Sequence, residues 1–267
     1  MAMAKLAVNG GSVITAPQWR DFWEKVELNK INSKNFQDFL DNPNRLSDSE
    51  LPGLISLSRA KKILGRNKIF TVVSYNKLWR ESFSDFPIRY TEEDLAEAKQ
   101  QNERGEDWRL VFYGGRSIIQ VRRNSGLDPF SQPCFSATDA DWYFRTTESG
   151  WANNPPARGY YLVNFRGQFK NLNYEHQEKH LKDLGAFRDS SPYERTNPHV
   201  FTEVVFSIFA LTGERIAESW RHWSSTFTSN GAFVHVGLLD FNGYRVDSES
   251  PNTRADSLRV SVCVKPR

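Results

Sequence analysis

The chain has 267 residues, 39% hydrophobic and 25% charged, which is ordinary globular composition with room for one large core or two small ones. A net charge of +3, with basic residues no more clustered than the pairs Lys61-Lys62 and Arg122-Arg123, leaves no nucleic-acid footprint. The longest apolar run, Val204 to Leu211, is broken by Ser207 and far short of a membrane span, and Cys134 and Cys263 alone make no disulfide framework.

The opening MAMAKLAVNGGSV has neither a long apolar core nor a small-residue cleavage site, so no secretory signal is expected and the cytoplasm is the default compartment. Pro17 suits a first helical position, and Trp19, Phe22, Trp23 and Val26 follow as an apolar stripe. A second short helix is predicted from the Ser33 cap through Phe36 and Phe39, stopping before Pro43. Ala60 to Leu64 reads as a helix closed by Gly65, and Thr91-Glu92-Glu93-Asp94 as a capping-box start. Gly105 marks a change of texture, which divides the chain into a helical region, 1–105, and a strand-rich domain, 106–267.

Beyond that boundary, strands are predicted at Arg109 to Tyr113, Trp142 to Arg145 and Tyr160 to Phe165. The segment Tyr174 to Leu184 reads as a solvated, charged helix. A strong helix is capped by Asn197, opened by Pro198, lined by Val200, Phe201, Val204, Val205, Ile208 and Phe209, and closed by Gly213; it is expected to pack on the sheet. Asn242-Gly243 predicts a two-residue hairpin turn pairing Phe241 with Tyr244, Asp240 with Arg245 and Leu239 with Val246. Reconciling Val234 and Val236 with that register requires a bulge near Gly237. The last run alternates, with Leu258, Val260, Val262 and Val264 on one face and Arg259, Ser261, Cys263 and Lys265 on the other, as in a half-buried strand.

No catalytic signature emerges. His176 and His180 would share one face of a helix, but Glu178 between them stands where neither metalloprotease motif places its base. Asp139 and Asp141 lack the glycine and distal glutamate of a calcium loop. No serine sits on a glycine elbow, and neither cysteine has a histidine nearby in sequence. No metal, cofactor or catalytic residue is therefore expected. The string Trp220-Arg221-His222-Trp223-Ser224-Ser225 reads as tryptophan anchors beneath the last strands, which can also frame a ligand face.

The window Ser224 to Val260 contains no Lys, Gln, Met or Trp and a single Glu, Glu249, whereas these five types fill 48 of the 267 positions of the chain. Its alphabet of Ser, Thr, Asn, Asp, Gly, Tyr, Phe, His and Arg is that of a paratope, in which aromatics supply area and short polar groups supply adaptable hydrogen bonds.

The C-terminal half resembles the C-type lectin-like variable proteins of diversity-generating retroelements, of the kind abundant in candidate-phylum bacteria and their viruses. The resemblance is carried by GYYLVNFRGQF (Gly159 to Phe169), by HVFTEVVFSIFALTGERIAESWRHW (His199 to Trp223) and by VHVGLLDFNGYRVDS followed by LRVSVCVK. The strings FQDFLDNP and RAKKILGR are similar to the leader region of such proteins. In that family adenines of a template are replaced, often in AAC codons, and substitution of their first two bases cannot yield Trp, Gln, Met, Lys or Glu. Glu249 departs from this pattern and would be an unvaried codon, and the chain's ending, Val264-Lys-Pro-Arg267, departs from the familiar one.

The resemblance implies an α+β fold: a helical N-terminal region followed by a C-type lectin-like domain with a C-terminal antiparallel sheet. It implies a non-enzymatic protein that displays a variable face to a protein or cell-surface ligand. The expected contacts are Ser225, Thr226, Phe227, Thr228, Asn230, Phe233, His235, Asp240, Asn242, Tyr244, Asp247, Asn252 and Arg254, with Phe227, Phe233 and Tyr244 supplying buried area. The alternatives are an enzyme on a formylglycine-generating-enzyme-like fold, whose chemistry would need Cys134 and Cys263 close together in a cleft, and a structural or assembly protein.

Overall fold

The computed structural model describes residues 55–137, 141–184 and 193–264, and its division of the chain falls between Ser56 and Leu57. From Leu57 onward the elements are α1 (Leu57–Leu64), β1 (Ile69–Phe70), α2 (Val72–Trp79), α3 (Glu92–Glu103), β2 (Trp108–Tyr113), α4 (Ile118–Ser125), α5 (Ser149–Asn153), β3 (Gly159–Gln168) and α6 (Tyr174–Leu184). They continue with β4 (Tyr193–Arg195), α7 (Pro198–Thr212), β5 (Arg221–Phe227), β6 (Phe233–Asp240), β7 (Gly243–Glu249) and β8 (Leu258–Val264). This is a mixed α+β arrangement with an open, mostly antiparallel sheet ordered β1-β2-β3-β8-β5-β6-β7, with β4 also paired to β8.

Local chemistry accounts for the helix ends. Thr91 and Asp94 close a capping box on α3, and Ser117 and Gln120 close another on α4. Asn197 accepts the His199 N–H, Pro198 opens α7, and Gly213 ends it in the left-handed region. The helices expected around Pro17 and Ser33 lie outside the described residues. Residues on both sides of Gly105 belong to one compact unit, Leu57–Arg267. Strand β1 pairs in parallel with β2, and the buried Tyr90 hydroxyl donates to Val264 O (3.2 Å) and accepts from Leu162 N–H (2.9 Å), so the 57–105 segment is built into the sheet.

Strand β8 is more central than its alternation suggests. It pairs antiparallel with β3 and β4 and parallel with β5, and only Arg259 escapes burial along it. Leu258, Val260 and Val262 are buried, as expected. The opposite face is covered as well, because Ser261 donates to Asn164 O (3.0 Å) and shares a hydrogen bond with Thr196, while Cys263 lies against Glu194. Small polar side chains that find partners alternate with valines, so the period of two survives although both faces are dry.

Helix α7 is buried from Pro198 through Ile208. One side meets the sheet: Phe201 packs on Trp220 and His222, and Phe206 on Tyr244. The other meets α2 and the loop before α4, where Trp79 Nε1 donates to Ser207 Oγ (2.9 Å) and the Glu203 carboxyl accepts the N–H groups of Gly114 (2.8 Å) and Arg116 (2.7 Å). A helix covered on every side explains why its polar residues are bonded inward instead of forming a solvent stripe.

Two local readings are corrected. Trp142–Phe144 is a 3-10 turn and not a strand; Tyr143 is fully buried, and the Trp142 indole donates to Val246 O (3.0 Å), so these aromatics anchor a loop onto β7. The β6–β7 hairpin turns one residue earlier than expected: Asp240 pairs with Gly243, and Gly237, not Asp240, lies opposite Arg245. The bulge near Gly237 is present, with Leu238 in the left-handed region. Phe241 and Asn242 form the turn, tightened by Asp240 Oδ1 accepting the Asn242 N–H (2.7 Å).

Gly243 serves another purpose. A side chain there would meet Phe135 C and Ser136 N at 2.7 Å, where the 134–136 segment runs beside Tyr244 through Tyr244 N–H to Cys134 O (2.9 Å) and Ser136 N–H to Tyr244 O (2.8 Å). Its φ of 103° is equally closed to other residues. Gly243→Ala is expected to cost about 1–3 kcal/mol from the backbone alone, read as a lower urea midpoint; an unchanged midpoint would show that the 134–136 segment yields freely.

Candidate functional site

Strands β5, β6 and β7 have two faces with different cover. Register and parity put His222, Val236 and Val246 on the α7 side, and Trp223, His235 and Asp247 on the other. The outward face carries a cluster of Trp223, Phe233 and Leu258, with Tyr174 and Ala255 packed against it. Phe233 is sandwiched between Tyr174, 3.6 Å away and nearly parallel, and Phe227, 4.1 Å away. The loop from β7 to β8 is tied to the same neighbourhood by Tyr174 N–H to Pro251 O (3.0 Å) and Asn171 N–H to Ala255 O (3.3 Å).

This geometry gathers one group of the expected contacts at one end of the sheet. Ser225, Phe227, Asn230, Asn252 and Arg254 are exposed, Thr226 is half-buried, and Phe227 keeps 58% of its surface open. Asp247 is exposed further along β7, opposite His235. Asp240 and Asn242 lie at the other end, beside the hairpin turn, roughly 20 Å from Phe233 at the rise of a strand. Exposed Phe241 stands with them and was not foreseen.

Four expected contacts are corrected by burial. Tyr244 is fully buried on the α7 side, sharing a hydrogen bond with Thr202 (3.0 Å), because it lies two residues from Val246 on the same face of β7. Thr228 is 7% exposed and locks the β5–β6 turn, its backbone N–H donating to Ala232 O (2.8 Å) and its hydroxyl accepting the Ala232 N–H (3.0 Å). Phe233 is a floor beneath Phe227, and His235 is on the outward face but fully covered. Residues not foreseen include Tyr174, which completes the aromatic stack, and Glu148, whose carboxylate receives the Ser229 N–H (3.1 Å) and holds the turn from outside the window. No local pattern marks either residue, because both reach the face from distant elements.

Beneath the face, His222 is a framework group. It accepts the Ser261 N–H at Nδ1 (3.0 Å) and meets Thr196 O at Nε2 (2.6 Å). Glu249, the one glutamate of the window, is half-buried and receives the Thr253 hydroxyl (3.3 Å) at the root of the β7–β8 loop.

Other candidate chemistry is dispersed. His176 is engaged by Asn173, and the His180 ring stacks on Phe169 at 5.6 Å. Asp141 pairs with Arg122, and Asp139 lies outside the described residues. Among the described residues no three His, Cys, Asp or Glu side chains are grouped as metal ligands, and no helix is long and apolar enough to cross a membrane. Cys134 and Cys263 form no disulfide and both are buried; burial pushes the Cys134 thiol up, away from the thiolate a nucleophile needs.

Compared with protein-family models, with curated proteins and with solved structures, the chain matches none.

Proposed function

We propose that the protein is a non-enzymatic ligand-binding protein of the C-type lectin-like, diversity-generating-retroelement type, with its variable face on the outward side of β5–β7 and the β7–β8 loop. The observation that carries this reading is the division of labour within the window. Exposed Ser225, Phe227, Asp247, Asn252 and Arg254 tie no distant elements together, whereas the buried members and Glu249 do, and exposed Asn230 accepts the Ala232 N–H (3.3 Å) within its own turn. Glu249 is the residue the restricted alphabet excludes, and its bond to Thr253 gives a scaffold reason to keep it unvaried. The dense framework of α7, Trp223 and β8 supplies the rigid base that a changing surface requires.

The ligand is a protein or cell-surface epitope, since the face is shallow, aromatic and rich in short polar groups. Buried thiols disfavour the enzyme reading, and the slight net charge disfavours nucleic acid. The DNA beside the coding sequence tests the proposal. A reverse transcriptase gene and a near-copy of the segment encoding 225–254, differing at adenines in the codons of exposed residues, are expected; differences falling on the codons of Trp223, Tyr244 and Val260 would sink it.

A further inference from the structure

Buried N–H groups in folded proteins are nearly always paired, so several unpaired donors on one surface call for an acceptor. Among the described residues, the buried side-chain atoms without a partner include Arg221 Nε, Trp223 Nε1, His235 Nδ1 and Arg245 Nε. The register puts all four residues on the outward face: Arg221, Gly237 and Arg245 form one row across β5, β6 and β7, and Trp223, His235 and Asp247 form the next. Strand spacing confines them to a patch on the order of 10 Å across. All four atoms are donors. Arg221 Nη1 lies 3.5 Å from His235 Nε2, which makes that nitrogen the acceptor and leaves the hydrogen on Nδ1.

The two guanidinium groups lack acid partners. Arg245 is half-buried without a hydrogen bond or ion pair among the described residues, and Arg221 reaches only His235 and Ser257 Oγ (3.3 Å). The carboxylates on this face pair with neither arginine: Asp247 accepts the Ser248 N–H (2.8 Å) and Glu249 the Thr253 hydroxyl (3.3 Å). Gly237 lies between the arginines and places no side chain there.

Resting on the reading of this face as the ligand surface, the geometry points to a subsite for a carboxylate side chain of a protein partner. Arg221 and Arg245, both half-buried, take the acid from either side of Gly237, with fully buried Trp223 and His235 as the floor in the neighbouring row. A forked guanidinium matches a carboxylate in two parallel hydrogen bonds. The Asp247 charge alongside disfavours a doubly charged phosphate more than a singly charged acid.

The test uses the full chain and fluorescent oligo-glutamate and oligo-glutamine peptides. The glutamate peptide is expected to bind, the glutamine peptide not, and Arg245→Gln and Arg221→Gln are each expected to weaken binding by about tenfold or more. Arg245→Gln is expected to leave the melting temperature unchanged or raise it, because it removes a half-buried charge that has no partner. Equal binding of both peptides, undiminished affinity in both variants, or a marked fall in melting temperature would overturn the subsite. Displacement by inorganic phosphate in preference to acetate would replace the carboxylate with a phosphate and overturn it too. Hydrogen exchange on the same samples separates the two levels. Protection of β5–β7 by both peptides keeps the face and rejects the acid, whereas protection confined to other elements rejects the face.

Discussion

Lowering the pH from 7 to 4 is expected to destabilise the protein steeply, because buried histidines are held neutral by backbone groups. Burial pushes His222 down to about 3 and His199 down to about 4 from the ordinary 6.5. The geometry gives the cause a structural form. His222 accepts the Ser261 N–H and donates to Thr196 O, and His199 accepts the Ile118 N–H (2.9 Å) at Nδ1 and donates to Trp151 O (2.7 Å). A second proton would sit against an N–H in either ring. His235 is also held well below its usual value, by burial and then by the Arg221 charge.

Since the folded values lie below the unfolded one, this stability is present above about pH 6.5 and drains away as pH falls toward the folded values. The gaps correspond to about 5 and 3 kcal/mol when fully expressed. Glu203 acts in the opposite sense. Burial pushes its carboxyl up to about 7 against the pull of the Gly114 and Arg116 N–H groups, so acidification from 7 to 4.5 returns about 3 kcal/mol. By pH 4 the two histidines have cost about 6 kcal/mol, so they outweigh it, and a net loss of about 3 kcal/mol is expected, a large part of a typical stability. Urea titrations between pH 7 and 4 measure this directly; a flat stability across the interval would refute the assignment of His199 and His222 as neutral struts.

The second large effect is a contrast between framework and face. Trp223 is fully buried against Tyr174, Phe233 and Leu258, and Trp223→Ala is expected to cost about 3–5 kcal/mol. Ile208 on α7 and Val260 in the central strand belong to the same intolerant set, as does Tyr244, whose hydroxyl is bonded to Thr202. Alanine at Ser225, Asp247 or Asn252, which are exposed and hold no core contact, is expected to stay within about 0.5 kcal/mol. Thr228 moves to the costly side because its hydroxyl accepts the Ala232 N–H in the turn. A thermal scan of these alanine variants checks the contrast, and a face as costly as the framework would mean that it is ordinary core margin.

The parts of the fold that were legible share one property: the information lies within a few residues. Asn197-Pro198 through Gly213 bounded α7 because each group acts on its own helix end, and Thr91 with Asp94 did the same for α3. The hairpin misled because glycine after asparagine favours a turn locally, whereas Gly243 is required by the backbone at 135–136, more than a hundred residues away. Tyr244 lies on the α7 side because it shares the face of Val246, two residues on, in either register; its place in the paratope-like alphabet said nothing about which face it takes. The aromatics of Trp142–Phe144 suited a strand equally well until their partners on β7 were known.

By itself the sequence determined the helix ends, the last strand and the unusual alphabet between Ser224 and Val260. Only the tertiary structure decided which of those residues reach solvent. Both faces of β5 and β6 find cover, α7 on one side and Tyr174 with the β7–β8 loop on the other, and alternation distinguishes two faces without saying what lies on them. The unpaired donors of Arg221, Trp223, His235 and Arg245 were invisible for the same reason. Whether a buried N–H has a partner depends on every group within hydrogen-bonding distance, and those groups are assembled from distant parts of the chain.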